Sequence, residues 1–182
     1  MILNKILIDN FRCFTHYEVD LAPRITVLIG KNGAGKSTLI HAIHNALSFI
    51  FATDSSIGEE ILAAGNPDLK ISNIPPSEVF YDDQTREYAD FVRIKASALY
   101  HETPLNWELF KRSTSRAALR TTLYKDAYNL FMSEYRSSGK LPLLAYFSDS
   151  YPHINSKVGK FAQQSLRKGD RIPRNFAYYQ WG

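Results

Sequence analysis

Gly30-Lys31-Asn32-Gly33-Ala34-Gly35-Lys36-Ser37 satisfies the pattern G-x-x-x-x-G-K-[ST] at each fixed position, the spacing of a loop that wraps phosphate groups in its own backbone. The flanking sequence supplies the setting such a loop needs. Ile25-Thr26-Val27-Leu28-Ile29 is a β-branched run that predicts a buried strand. Beyond the loop, Leu39, Ile43, Leu47 and Ile50 recur at helical spacing and predict a helix from near Lys36 to near Ala52.

The residue types explain the chemistry. Gly30, Gly33 and Gly35 let the backbone come close to an anion. The N–H groups of Lys31, Asn32, Ala34 and their neighbours, with the first turn of the helix, then form a positive cradle for the α- and β-phosphates of a nucleoside triphosphate. Lys36 is placed to reach the β- and γ-phosphates, and Thr38 to add a phosphate contact. The Ser37 hydroxyl is the expected Mg²⁺ ligand.

Length and composition bound the rest. With 182 residues the chain has room for one domain with a sizeable core. Its 45% hydrophobic and 22% charged residues are those of an ordinary globular protein. No apolar run reaches eighteen residues, which excludes a transmembrane helix, and Met1 to Ile6 lacks a signal-peptide layout. A single cysteine, Cys13, excludes an internal disulfide framework and fits a reducing compartment. The expected location is cytoplasmic.

Net charge is +4, a mild basic bias that collects between Ser156 and Arg174. There Lys157, Lys160, Arg167, Lys168, Arg171 and Arg174 face only Asp170. The strip is either a phosphate-contacting surface for nucleic acid or a solvated face. Tyr146, Tyr151, Tyr178 and Tyr179 lie near it in sequence, either as stacking surfaces for single strands or as core aromatics.

Along the chain, Leu3 to Phe14 and Tyr17 to Leu21 read as two strands, with Ala22-Pro23-Arg24 turning into the strand that feeds the loop. This is an α/β opening with mixed pairing. Ser55 to Pro76 reads as loop around a short helix, Glu59 to Ala64. Tyr88 to Leu99 and Trp107 to Arg112, joined through His101-Glu102-Thr103-Pro104, read as a hairpin. Ala118 to Arg136 carries a helical pattern that ends at Ser137-Ser138-Gly139, and Leu141 to Phe147 has the length of an apolar strand. His41 and His44 sit three apart, a metal-capable spacing with no third ligand nearby, and read as packing residues. Cys13 reads as a small core residue.

Asn10-Phe11-Arg12-Cys13-Phe14, the acidic-hydrophobic strand after it, and Ile25 through Leu39 together resemble the N-terminus of the SMC/RecF-like P-loop ATPases, an ABC-class, AAA-type group. Asn32 is the discriminating residue. The resemblance covers roughly the first fifty residues. It implies an α/β P-loop NTPase fold, an ABC-ATPase-like N-terminal lobe with a parallel core sheet and an antiparallel β-subdomain. It also implies ATP and Mg²⁺ as cofactors. Arg12 would face the ribose or phosphates, or else solvent. Two heads would pair through ATP as a homodimer that acts on DNA or gates a partner nuclease. Leu141-Pro142-Leu143-Leu144-Ala145-Tyr146-Phe147 looks like a strand of a narrower group, the ATPases of bacterial anti-phage defence such as the Septu ATPase subunit and retron-associated relatives.

Hydrolysis also needs a metal-holding carboxylate and a group that positions water. Leu143 to Asp149 is a poor Walker B site, because Phe147 and Ser148 intervene and no Glu follows. A Leu-Ser-Gly-Gly signature is absent. Ser148-Asp149-Ser150-Tyr151 lacks the Q-loop glutamine, for which Gln163, Gln164 and Gln180 are remote candidates. The expectation is therefore the N-terminal part of one ATPase domain, with catalytic residues unassigned. It divides into a strand–loop–helix core (1–53), a loop and hairpin insertion (54–117), and a helix, core strand and basic segment (118–182). A small-molecule kinase, with Arg167, Arg171 and Arg174 as its lid, and a non-hydrolysing nucleotide-binding module are the alternatives.

Overall fold

The computed structural model describes residues 1–52, 70–112 and 119–146. The short helix expected at 59–64, the basic strip at 156–174, the glutamines at 163, 164 and 180, the three tyrosines beyond residue 150 and the rest of the aromatic C-terminus lie outside the described residues.

Alternation of apolar residues builds the main sheet. β1 (Ile2–Phe11) buries Ile6 and Ile8 and turns Lys5, Leu7 and Asp9 to its other face. β2 (Phe14–Asp20) pairs back on it with Ile8 opposite Tyr17. A small separate ribbon follows, β3 (Tyr81–Asp82) and β4 (Glu87–Tyr88), pinned by an edge-on pair of Tyr81 and Tyr88. Then come β5 (Phe91–Tyr100) and β6 (Thr103–Arg112), joined by the tight turn at His101-Glu102. The order is β2-β1-β5-β6, antiparallel throughout. Ile8, Ile94 and Leu109 form one inward row across three strands, and Ile6, Ala96 and Trp107 form the next.

One face of this sheet carries the helices. α1 (Lys36–Leu47) buries Leu39, Ala42, Asn45 and Ala46, then tightens into a 3₁₀ turn, Ser48–Phe51, whose four residues are all buried. Trp107 locks sheet to helix. Its Nε1 donates to the Ala46 carbonyl at 2.8 Å and its ring stacks on Phe49 at 4.3 Å. α2 (Lys125–Ser138) adds Phe131, which meets Phe49 edge-on and lies 4.8 Å from the Tyr100 ring. α2 ends as its sequence predicts, on Gly139 in the left-handed region (φ 63°) with its N–H on the Tyr135 carbonyl.

Several expectations change. Residues 25–29 are not a buried strand: Ile25, Val27 and Ile29 are 77, 72 and 93% exposed, and no ladder includes them. Leu141 to Tyr146 likewise forms no strand, and Leu143 is 91% exposed. An apolar run becomes a strand only where another strand takes its N–H and C=O groups, and among the described residues none lies beside either run. The pairing expected to be mixed is antiparallel, and the described residues contain no parallel pair. The second hairpin strand is longer than its sequence suggests, since Pro104 is tolerated on the edge strand β6.

Candidate nucleotide-binding site

The loop between residue 30 and α1 is shaped at Gly35. This residue is the N-cap of α1 with φ 87°, a backbone region that side chains disfavour. A Cβ here would meet Phe14 Cζ at 2.5 Å and Cys13 Sγ at 3.2 Å. The β1–β2 turn thus closes directly onto the start of the helix. The helix start itself is open to an anion: Gly35 supplies no side-chain cap, and the first turn holds no acidic residue.

Lys36 fixes the loop's curl. Its Nζ donates to the carbonyls of Gly30 and Lys31, both at 2.7 Å, so a cation already sits inside the ring of backbone. Ser37 is exposed in the first turn, and Thr38 Oγ1 lies 3.5 Å from Cys13 Sγ. Lys31, Asn32, Gly33 and Ala34 are exposed, and the Ala34 N–H donates back to the Lys31 carbonyl at 3.2 Å, a turn within the loop. A cleft of about 250 Å³ opens beside Lys36 and Gly35, walled by Phe14, Tyr17, Leu28 and Leu39. Phe14 and Tyr17 stack at 4.6 Å and give it one flat aromatic side. The structure brings Gly35 and Thr38, at the start of α1, against Cys13 and Phe14 of the β1–β2 turn.

Cys13 is not a core residue. It is exposed in the β1–β2 turn, because a two-residue reversal between Phe11 and Phe14 leaves its side chains outside the sheet. Arg12 is also exposed, with Nη2 donating to Glu78 Oε1 at 2.7 Å. The same oxygen lies 2.9 Å from His41 Nε2. Burial pushes the Glu78 carboxyl up, but the hydrogen bonds and charge of His41 and Arg12 more than offset that and hold it below the usual carboxylate range. His41 stacks on Phe11 while its Nε2 meets Glu78, and His44 packs 4.5 Å from Tyr146. Nothing in the sequence around Pro75-Pro76-Ser77 singles out Glu78. Its partners are 66 and 37 positions away in the chain.

Residues 1–103, more than half of the chain, match the family model of the AAA ATPase domain. The chain belongs to that family. This ATPase domain is of the SMC/RecF-like kind, as three curated relatives indicate. It is 46% identical over 44 residues to the DNA replication and repair protein RecF of Salinibacter ruber, covering 24% of this chain and 11% of that protein. It is 34% identical over 61 residues to the DNA double-strand break repair Rad50 ATPase of Halobacterium salinarum, covering 34% and 7%. It is 39% identical over 41 residues to Structural maintenance of chromosomes protein 6 of Saccharomyces cerevisiae, covering 22% and 4%. The chain thus matches 4 to 11% of the length of these relatives.

A solved structure from a study of ATP-driven dimerization and DNA-stimulated activation of SMC ATPases superposes with a TM-score of 0.47 at 14% identity. It covers 80% of this chain and 87% of that one. The family match, not that superposition, carries the assignment. The AAA ATPase domain here is an α/β P-loop NTPase lobe with an antiparallel β-subdomain, the sheet described above. Among the described residues no helix is long and apolar enough to cross a membrane.

Proposed function

We propose that residues 30–38 bind ATP with Mg²⁺, and that the chain is the N-terminal, nucleotide-holding part of an SMC/RecF-like ATPase domain. The observation that carries this reading is the loop itself, closed by Lys36 on two backbone carbonyls at the uncapped start of α1. Its composition fits the group. Backbone N–H groups and the helix start receive phosphate oxygens, and Lys36 exchanges carbonyls for β- and γ-phosphate. Ser37, exposed in the first turn, holds the metal. Mg²⁺, when bound, neutralises charge on the β- and γ-oxygens. Phe14 and Tyr17 give the base an apolar surface, and Arg12 serves the phosphates from the β1–β2 turn.

In the complete protein the domain hydrolyses ATP and pairs with a second copy through the bound nucleotide. The pair acts on DNA or controls a partner nuclease, in the setting of anti-phage defence. The names of the relatives support the DNA side of this reading. The Leu141 to Phe147 resemblance supports the defence setting.

Lys36→Ala tests the site. Removing one charge-assisted phosphate contact is worth about 1.5–3 kcal/mol, so titration calorimetry is expected to show ATP·Mg²⁺ affinity falling at least tenfold. Unchanged affinity would sink the assignment.

A further inference from the structure

We infer that Glu78 is a positioning residue for the triphosphate site, fixing Arg12 beside the phosphate-binding helix. The inference rests on the reading of residues 30–38 as that site. Glu78 closes the 3₁₀ turn Pro76–Glu78 and reaches two other segments at once. Its Oε1 accepts from Arg12 Nη2 at 2.7 Å and lies 2.9 Å from His41 Nε2 on α1. Its backbone carbonyl accepts the Arg12 N–H, also at 2.7 Å. Arg12 is therefore held by main chain and side chain together.

The burial of the pair is unequal. The Glu78 side chain is 12% exposed and that of Arg12 37%, so the carboxylate is the fixed post and the guanidinium the reachable end. Arg12 has φ 51°, and Asn10, two residues earlier, has φ 55°. Arg12 lies in the two-residue reversal between Phe11 and Phe14, where a positive φ is what the turn requires, and Asn tolerates that region. The turn is further held from outside by the Glu78 carbonyl on the Arg12 N–H, the Phe80 N–H on the Asn10 carbonyl, and the bridge between Phe11 and Val79.

Place then assigns a role. His41 is three residues past Thr38 and shares its face of α1. Cys13, the residue after Arg12, has its Sγ 3.5 Å from Thr38 Oγ1. Through Glu78 the guanidinium is tied to His41, five residues past Lys36, and the next residue, Cys13, lies against Thr38 in the first turn, so the partner inferred for it is an anion seated at the start of α1. Among the described residues Glu78 takes one of the five N–H donors of Arg12, and the others face phosphate oxygens in this reading. A carboxylate so placed aims the arginine without consuming it. With the carboxylate removed, the guanidinium keeps its charge and loses its direction.

The test is calorimetric titration of ATP·Mg²⁺ into the full-length protein as wild type, Glu78→Gln, Glu78→Asp, Arg12→Gln and the Glu78→Gln/Arg12→Gln double variant, at one salt concentration. Expected is about a tenfold weaker affinity for Glu78→Gln, the scale of one hydrogen bond to a charged group. Glu78→Asp should fall between it and wild type. In the Arg12→Gln background, Glu78→Gln should add nothing. A purely structural glutamate predicts the opposite, equal effects with and without Arg12, and that result overturns the inference. So does unchanged or tighter binding in Glu78→Gln. Thermal melts accompany each titration, and the Asp variant carries the comparison if the Gln variant does not fold. A wild type that binds no ATP overturns the reading of the loop and this inference with it. A wild type that binds, with Glu78 variants that bind equally well, overturns the inference alone.

Discussion

Gly35 is where two constraints meet in one residue. Its φ of 87° strains any side chain by about 1–2 kcal/mol, and Phe14 Cζ occupies the place of a Cβ at 2.5 Å. Gly35→Ala should therefore lower thermal stability and weaken ATP binding together. Replacing Phe14 by Leu in the same chain removes the ring that collides and should recover part of the melting temperature while leaving the backbone strain. Differential scanning calorimetry of the two variants checks this. No recovery in the double variant would mean that the collision is not what costs stability. Gly33 differs: a Cβ there meets nothing, and only its φ of 82° argues for glycine.

At the scale of elements, Trp107 decides how α1 and the sheet stay together. It stacks on Phe49 and donates to the Ala46 carbonyl, so it anchors the far end of the helix whose near end forms the nucleotide loop. Trp107→Ala should cost about 3–5 kcal/mol, the range for emptying a large buried aromatic site. Trp107→Phe should cost less, since it keeps most of the ring and loses one of the hydrogen bonds to the Ala46 carbonyl, which also accepts the Ser48 N–H. Urea unfolding followed by far-ultraviolet circular dichroism measures both. A loss under 1 kcal/mol for the Ala variant would contradict the packing described.

The elements also show what the sequence discloses. α1, α2 and the β5–β6 hairpin are legible because their signals are local: Leu39, Ile43 and Leu47 recur at helical spacing, Gly139 stops a helix, and Ile94 and Ala96 alternate with Arg93 and Lys95. The phosphate loop is legible for the same reason. Ile25 to Ile29 misleads, since its β-branched composition says strand and the partner a strand needs is not a local property. The β3–β4 ribbon goes unread because strands of two residues carry no periodicity. Glu78 is invisible because its meaning depends on Arg12 and His41, which only folding brings near.

For the molecule as a whole, the proposed pairing of two heads through ATP makes oligomeric state the quantity to measure. Light scattering behind size exclusion should show the full-length protein shifting toward twice its mass with ATP·Mg²⁺, and Lys36→Ala failing to shift. A mass indifferent to nucleotide would count against head pairing while leaving ATP binding intact.

One exposed stretch has a practical side. Ile25, Val27 and Ile29 project β-branched side chains into water from a backbone outside every ladder, which is what a growing aggregate recruits. Val27 and Ile29 also line the cleft beside Gly35 and Lys36, so the stretch that invites association is one wall of the proposed nucleotide site, and a ligand seated there would shield it.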